Sequence, residues 1–161
     1  MVRSQGVCGS ILVVDDNRDI ADFLVSALKR FGHRAHPAYD GEEALAEIAE
    51  NDFDIVITDL TMPSIDGIGV LKAAEKKKRR PTVLMISGQT SLQAAAAAIR
   101  MGAYDFIPKP MHIYKLNEII QRAMRRQHLV SRIGSQKTMA AALSMSLPVW
   151  LVLGMVLGIG F

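Results

Sequence analysis

The sequence predicts an α/β fold in which five parallel strands form one doubly wound sheet with helices on both faces. Short apolar segments typical of strands alternate five times with amphipathic segments typical of helices. The connections between them are short, which favours repeated βα units in a single sheet. A chain of 161 residues, half of them apolar, is long enough for one such domain and an additional segment.

The predicted strands differ in polarity. The first and third are largely apolar, as expected for strands that helices cover on both faces. The second contains two histidines at an odd spacing, which places their side chains on opposite faces and argues against a metal-binding pair. Its polar character suits an edge of the sheet. The five strands are predicted at Ile11–Val14, His33–Pro37, Phe53–Thr58, Thr82–Ile86 and Tyr104–Ile107.

The predicted helices follow the strands. In the first, Ile20, Phe23 and Leu24 begin an apolar stripe at helical spacing, and Gly32 lies just beyond the end of the helix. The alanine run Ala94–Ala98 provides little side-chain volume, so we expect the fourth helix to be lightly packed. The helices are predicted at Asn17–Arg30, Gly41–Ala49, Ile68–Lys77, Leu92–Met101 and Ile113–Arg126.

Charge is distributed unevenly along the chain. Five of the 19 basic residues and none of the 16 acidic residues lie after residue 120, so the net charge of +3 comes from the C-terminal part. No aromatic residues are interleaved with these basic residues, and we expect no nucleic-acid partner. The single cysteine, Cys8, excludes an internal disulfide and fits a reducing compartment.

Polar side chains follow the ends of four predicted strands. Asp15 and Asp16 follow the first strand, Asp59 the third, Ser87 the fourth and Lys109 the last. The carboxyl ends of neighbouring parallel strands meet at one edge of a sheet, where ligands bind in this class of fold. Converging acids favour a hard cation, and a hydroxyl with an ammonium group favours an anion. The sequence therefore predicts a site for Mg²⁺ together with a phosphoryl group.

A purely structural explanation also exists for each of these acids. Asp16 or Asn17 is suited to cap the first helix, and Asp59 to cap a turn. One such residue would need no further explanation. Three acids that face a lysine at adjacent strand ends are costly to leave uncompensated, which favours the functional interpretation.

Four motifs occur in order at these strand ends, and together they resemble the receiver domains of response regulators. The motifs are Ile11–Asp16, Asp59–Pro63, Ser87-Gly88 and Lys109-Pro110. The resemblance implies the CheY-like form of the flavodoxin-like (βα)5 fold. The segment Gly102–Pro110 is similar to the receivers of nitrogen-regulator-type response regulators.

The resemblance implies specific roles for the residues at the sheet edge. Asp59 would be the phosphoacceptor. Asp16, Asp59 and the backbone carbonyl of Thr61 would coordinate Mg²⁺ directly, and Asp15 would do so through water. Lys109 would contact the phosphoryl oxygens.

Two further residues would form the conformational switch of such a domain. Ser87 would follow the phosphoryl group on activation, and Phe106 would be the aromatic switch residue. Many relatives carry a tyrosine or another aromatic residue at this position, and Phe106 lacks the hydroxyl with which a tyrosine would form a hydrogen bond. The Lys109–Pro110 bond is expected to be cis.

The function implied is that of a two-component phosphorelay response regulator, not an enzyme beyond its own phosphorylation and dephosphorylation. The partners would be a sensor histidine kinase or phosphotransfer protein and a downstream protein. A truncated receiver of a transcriptional regulator and an unphosphorylated pseudo-receiver remain alternatives. A magnesium-dependent phosphatase is disfavoured because such enzymes generally have a second acid two residues after the nucleophile, where this chain has Thr61.

The domain organisation predicted is a disordered lead at 1–9, the receiver at 10–126, a basic linker at 127–138 and an apolar tail at 139–161. The tail lacks charge, and as a helix it would span about 34 Å, enough to cross a hydrocarbon core of about 30 Å. If the tail inserts, the basic linker would keep the receiver at the cytoplasmic face of the inner membrane, and otherwise the protein would be cytoplasmic. Pro148 leaves open an interfacial helix, and truncation or a frameshift also remains possible.

Overall fold

The computed structural model describes residues 7–88, 92–127 and 129, and its centre is a five-stranded parallel sheet. The strand order is β2-β1-β3-β4-β5, which confirms the doubly wound topology. The strands are β1 Ser10–Val14, β2 Arg34–Ala38, β3 Ile55–Asp59, β4 Thr82–Ser87 and β5 Asp105–Pro108.

Each strand is followed by a helix, as predicted, and the observed ends lie within two residues of the predicted ones. The helices are α1 Arg18–Arg30, α2 Gly41–Glu50, α3 Gly67–Glu75, α4 Leu92–Arg100 and α5, which covers residues 113–127. In the described part of the chain, α1, α2 and α3 each begin with a side-chain cap that accepts backbone N–H groups of the first turn. These caps are Asn17, Asp40 and Asp66.

The sheet separates two apolar layers because side chains alternate along each strand. One layer contains Ile11 and Val13 of β1 and packs against α1 and α5. The other contains Leu12 and Val14 and packs against α2, α3 and α4. Helices on both faces explain why the central strands are almost continuously apolar.

The edge position predicted for the second strand is confirmed, but one of its predicted members is not in it. His33 precedes β2 and is buried, with only 4% of its surface exposed. Its Nδ1 lies 3.4 Å from the Gly9 amide nitrogen, and its Nε2 lies 3.1 Å from Asn117 Oδ1. His33 therefore joins Gly9, just before β1, to α5, and hydrogen bonding compensates the burial of its imidazole.

Helix α4 is lightly packed, as the alanine run predicted. Of its nine residues only Ala98 is buried, whereas Leu92 and Ile99 are exposed. Alanine favours the helix itself but contributes little apolar area to the core.

Contacts divide the chain into two units, Met1–Met124 and Arg125–Phe161. Most of the second unit lies outside the described residues, including residues 130–138 of the predicted linker and the apolar tail at 139–161. Within the described part of the chain, no helix combines the length and apolar character needed to cross a membrane.

One residue in the loop between β3 and α3 has a strained backbone. Ser64 adopts a φ of +63°, and it is the only residue other than glycine with a positive φ in the described part of the chain. In this left-handed region the Cβ atom approaches the carbonyl oxygen, which costs about 1–2 kcal/mol. Glycine avoids this contact but loses more backbone entropy on folding.

We expect Ser64→Gly to stabilise the protein by about 0.5–1 kcal/mol because the relief of strain exceeds the entropic cost of glycine. Thermal unfolding would show this as an increase in Tm of a few degrees. The matched control is Ser26→Gly, which places the same change within α1, where glycine is unfavourable. The two substitutions should shift Tm in opposite directions, and a decrease in both would contradict the assignment of strain.

Candidate functional site

The polar side chains predicted to converge do so at the carboxyl edge of the sheet. Asp59 is the last residue of β3 and Ser87 the last of β4, while Asp15 and Asp16 directly follow β1. Lys109 directly follows β5. Because β1, β3, β4 and β5 are consecutive neighbours, these strand ends lie side by side.

Asp15, Asp16 and Asp59 form a compact acidic cluster. One carboxylate oxygen from each can be chosen so that all three lie within 4.8 Å of one another. Asp15 is almost completely buried and Asp59 is 9% exposed, whereas Asp16 is open to solvent. A cluster of this density needs positive charge to be stable, because each carboxylate destabilises the ionised form of the others.

The ammonium group of Lys109 provides part of that charge. Its Nζ donates to Asp15 Oδ2 at 2.7 Å and to Asp59 Oδ2 at 2.5 Å. Burial by itself lowers the pKa of Lys109, but the hydrogen bonds and negative charges of the two aspartates outweigh it and raise the pKa above its ordinary value. The stabilisation from this charge is complete below the ordinary lysine pKa of about 10.4 and is lost as pH rises through the higher folded value.

Backbone amides hold the second oxygen of each buried aspartate. The Asn17 amide donates to Asp15 Oδ1, and the Thr61 amide donates to Asp59 Oδ1, both at 3.0 Å. The side chain of Asn17 also caps α1, because its Oδ1 accepts hydrogen bonds from the Asp19 and Ile20 amides. The capping alternative is therefore correct for Asn17, and Asp16 has neither a hydrogen bond nor an ion pair with another described residue.

The backbone of Asp59 lies directly against the start of α3. A Cβ atom added to Gly67 would overlap with the carbonyl oxygen of Asp59. The Gly67 amide also donates to the carbonyl of Leu60 at 3.1 Å. Glycine at this position allows the helix to begin close to the acidic cluster, and the loop between them to be closed by a backbone hydrogen bond.

The ladder between β4 and β5 brings Ser87 next to Lys109. Ser87 is fully buried and pairs with Pro108, and its carbonyl accepts from the Lys109 amide at 2.8 Å. Pro108 removes one backbone donor from β5, which is tolerated because β5 is an edge strand. The Lys109–Pro110 bond is cis, as predicted.

Phe106 lies on β5 opposite Met85 and packs in a half-buried position against the layer formed by α2, α3 and α4. Its amide donates to Asp105 Oδ1 at 2.8 Å. The structure thus places Phe106 on the strand that leads to Lys109, and its role as a switch remains a prediction.

An apolar groove beside the acidic cluster was not predicted. Its volume is about 420 Å³, and Lys109 is part of its wall. Phe23 belongs to the apolar stripe predicted for the first helix, and it is 62% exposed. The helical spacing of apolar residues cannot by itself distinguish a position in the core from a position at the edge of a groove, since apolar side chains are favoured at both. The other lining residues are Ile20, Leu24, Pro110, Met111 and Ile113.

The donor set fits a hard divalent cation. Carboxylate oxygens are the ligands that Mg²⁺ prefers, and it is usually bound by one or two carboxylates with several waters. Asp16 is exposed and unpaired among the described residues, so one carboxylate can bind an ion without breaking a protein contact. The carbonyl of Thr61, predicted as a further ligand, belongs to the same residue whose amide binds Asp59.

The sequence matches the family described as "Response regulator receiver domain" over residues 11–121. The chain belongs to this family, whose fold and acidic strand ends are those described above. Receiver domains bind Mg²⁺ at such an acidic pocket and function in two-component signalling with sensor histidine kinases.

Curated relatives come from the nitrogen-regulator group. The chain is 34% identical over 123 residues to the regulatory protein AtoC of Escherichia coli strain K12, covering 76% of this chain and 27% of AtoC. It is 36% identical over 121 residues to the nitrogen assimilation regulatory protein NtrX of Azorhizobium caulinodans, covering 74% and 27% respectively. The chain thus spans about a quarter of the length of these curated relatives.

Solved structures show the same fold. A Francisella response regulator receiver domain superposes with a TM-score of 0.70 at 30% identity, covering 74% of this chain and 98% of that domain. NtrX from Brucella abortus, solved in complex with ATP, gives a TM-score of 0.74 at 35% identity. That comparison covers 80% of this chain and 29% of NtrX.

We expect Lys109→Gln to destabilise the metal-free protein at pH 7 by about 1–3 kcal/mol, because Asp15 and Asp59 would lose their shared counter-charge. Thermal unfolding in EDTA would measure this loss. Added Mg²⁺ should then raise the Tm of the variant by more than that of the unmodified protein, since the cluster would be more negative.

The matched control is Lys115→Gln, which removes an exposed lysine from α5. It should change stability by less than about 0.5 kcal/mol. Equal losses from the two substitutions would show that Lys109 does not compensate the acidic cluster.

Proposed function

We propose that this chain accepts a phosphoryl group on Asp59 from a phosphohistidine of a sensor kinase and signals through a change in its protein contacts. The observation that supports this most strongly is the convergence of the three aspartates and Lys109 at one sheet edge. Acidic clusters are common on protein surfaces. A cluster in which two acids are buried and share one ammonium group is not explained by solvation or helix capping.

The contacts support a division of roles among the three aspartates. Asp15 is committed to Lys109 through one oxygen and to the Asn17 amide through the other. Asp16 is uncommitted among the described residues. We therefore assign direct metal coordination to Asp16 and Asp59, with the Thr61 carbonyl, and an indirect contribution through water to Asp15.

Phosphoryl transfer requires a carboxylate oxygen of Asp59 to attack phosphorus in line with the leaving imidazole nitrogen. An O–P bond forms and the N–P bond of phosphohistidine breaks, with the bonding electrons returning to the imidazole. The product is an acyl phosphate, which water later hydrolyses. Positioning and charge neutralisation dominate such reactions, so the chain's main contributions are a fixed carboxylate and a nearby cation.

Lys109 is the cation that the chain itself supplies. Its ammonium group already contacts Asp59 Oδ2. From this position it can donate hydrogen bonds to the phosphoryl oxygens once Asp59 is phosphorylated. Bound Mg²⁺ would add further positive charge at the acidic cluster and offset the repulsion between the carboxylates and the incoming phosphoryl group. The raised pKa of Lys109 keeps it charged throughout the neutral range.

The switch that we propose uses Ser87 and Phe106. A phosphoryl group on Asp59 would accept hydrogen bonds from the Ser87 hydroxyl and from Lys109, each worth about 1.5–3 kcal/mol because the acceptor is charged. A full reversal of a two-state population requires about 5.5 kcal/mol, which is within the range of these contacts together. Movement of Ser87 would let Phe106 shift inwards and reshape the surface formed by α4, β5 and α5.

The apolar groove beside Lys109 supports docking of the phosphodonor protein. Its wall includes Lys109 itself, so a protein seated there would be next to the reacting carboxylate. Phe23 at its rim is a large exposed aromatic side chain of the kind that anchors protein interfaces.

The proposed reaction takes place on the receiver domain. We place it in the cytoplasm, where histidine kinases present their phosphohistidines. Relatives are named as transcriptional regulators, and one as the DNA-binding transcriptional regulator NtrC of Salmonella typhimurium. These relatives do not support our expectation of no nucleic-acid partner, and the alternative of a truncated receiver of a transcriptional regulator fits the coverage. Membrane attachment through residues 139–161 is supported by no described residue and is not part of the proposal.

Incubation with Mg²⁺ and acetyl phosphate should add about 80 Da to the intact chain, the mass of one phosphoryl group. Mass spectrometry measures the adduct. Asp59→Asn should remove it because the amide is a far weaker nucleophile, and EDTA should prevent it.

The matched control is Asp52→Asn, since Asp52 is an exposed aspartate that precedes the opposite end of β3. This variant should form the adduct at the rate of the unmodified protein. Persistence of the adduct in Asp59→Asn would move the phosphoacceptor to another residue, and absence of any adduct would favour the pseudo-receiver.

We expect Ser87→Ala to retain the adduct on Asp59 but to lose most of the conformational response to it, because the buried hydroxyl contact would be missing. Hydrogen exchange of α4 and β5 with and without acetyl phosphate measures this response. Ser26→Ala, an exposed change in α1, serves as the control. A response in Ser87→Ala as large as in the control would exclude this switch.

A further inference from the structure

A second groove lies between α2 and α3, and none of its lining residues belongs to the acidic cluster. Its volume is about 460 Å³. Leu45 and Ile48 of α2 and Ala73 of α3 contribute to an aliphatic floor. The charged residues that line it are all lysines of α3 or its C-terminal extension, and no acid is among them.

One of these lysines has a structural role. Lys77 Nζ donates to the carbonyl of Ala49 at 3.2 Å and lies 3.5 Å from Asp52 Oδ1. Helix α2 has no basic residue in its last turn, so Lys77 supplies the cation that the exposed carbonyls at this helix end favour. Its ammonium group is therefore already engaged.

The other two lysines, Lys72 and Lys76, have no such partner. Both are exposed, and neither forms an ion pair with another described residue. They are four residues apart around the end of α3, so they project from the same side of the helix, where like charges repel each other. The groove therefore combines an apolar floor with two uncompensated positive charges on one wall.

We propose that this groove binds an acidic amphipathic helix of a partner protein. Aliphatic side chains three and four residues apart on such a helix would cover the floor between α2 and α3. Carboxylates four residues apart on the same helix would match the spacing of Lys72 and Lys76. Binding would compensate the charges of both lysines. A neutral helix would bury these charges without a partner, and a basic helix would be repelled by them.

Two other anionic partners match the groove less well. A lipid surface is flat on this scale and would contact the exposed charges without filling a concave floor. Nucleic acid would leave the floor uncovered too, since Leu45, Ile48 and Ala73 offer neither an aromatic surface for bases nor a hydrogen bond. The aliphatic floor is thus the feature that favours a protein helix.

The test uses the full chain and a fluorescein-labelled, helix-stapled peptide with leucines three and four residues apart and glutamates four residues apart. Fluorescence anisotropy at 0.1 M salt measures its affinity. The variant Lys72→Glu/Lys76→Glu should weaken binding by about tenfold or more, because two ion pairs become two repulsive contacts.

The matched control is Lys78→Glu/Arg80→Glu. It changes the net charge equally and lies in the same run of basic residues, but neither residue lines the groove. Affinity should change less than about threefold in this variant. Equal weakening in the two variants would indicate a long-range field without a docking site and would overturn the proposal.

Further arms separate the other occupants. Replacing the peptide's leucines by serine should abolish binding, and unchanged affinity would overturn the role of the floor. Vesicles containing phosphatidylserine and a DNA duplex are tested with the same variants. If vesicles or DNA bound more tightly than the peptide and lost more affinity in Lys72→Glu/Lys76→Glu than in the control, that ligand would replace the helix as the occupant. Absence of saturable peptide binding would also overturn the proposal.

Discussion

The contact of the Lys109 ammonium group with the carboxylates of Asp15 and Asp59 is the interaction on which the sheet edge depends. The three residues come from the ends of β1, β3 and β5, so one ammonium group joins β5 to β1 and β3 across the end of β4. Two buried carboxylates without a counter-charge would repel each other and would also have lost the solvation that water gives them. The Lys109 ammonium group offsets this cost for Asp15 and Asp59. The same contacts of Lys109 therefore balance the charge of the site and hold the strand ends together.

The fold could be predicted because its signals are local. Apolar runs and helical periods are set by neighbouring residues, and they located all five strands and all five helices. The strand ends were less accurate, since an apolar run stops at a polar residue while the hydrogen-bonded ladder continues. Asp59 pairs with Ile86, and Ser87 pairs with Pro108, so the polar residues of the site are themselves the last members of their strands. The same continuation fixes the backbone of these residues.

The parts that could not be predicted depend on tertiary partners. Phe23 belongs to an apolar stripe and His33 is polar, yet Phe23 is largely exposed and His33 is buried. Hydrogen bonds with Gly9 and Asn117 compensate the burial of His33, and neither is its neighbour in sequence. The choice between Asp16 and Asn17 as the cap was open for a similar reason, because the sequence gives both the right chemistry. The structure assigns the cap to Asn17, whose Oδ1 accepts from the Asp19 and Ile20 amides.

Helix α3 connects the two candidate sites. Its first residue, Gly67, packs so closely on the Asp59 carbonyl that no side chain fits between them, and the strained Ser64 lies in the loop that makes this approach possible. The other half of the same nine-residue helix carries Lys72, and Lys76 follows at its end. A helix of this length spans about 14 Å, so Gly67 at the Asp59 backbone and Lys72 at the groove belong to one short element. A displacement of the Asp59 backbone that moved α3 as a unit would reach the wall of the α2–α3 groove. If phosphorylation of Asp59 changed the affinity of the groove for its partner by some factor, thermodynamic reciprocity requires that the bound partner change the phosphorylation equilibrium of Asp59 by the same factor.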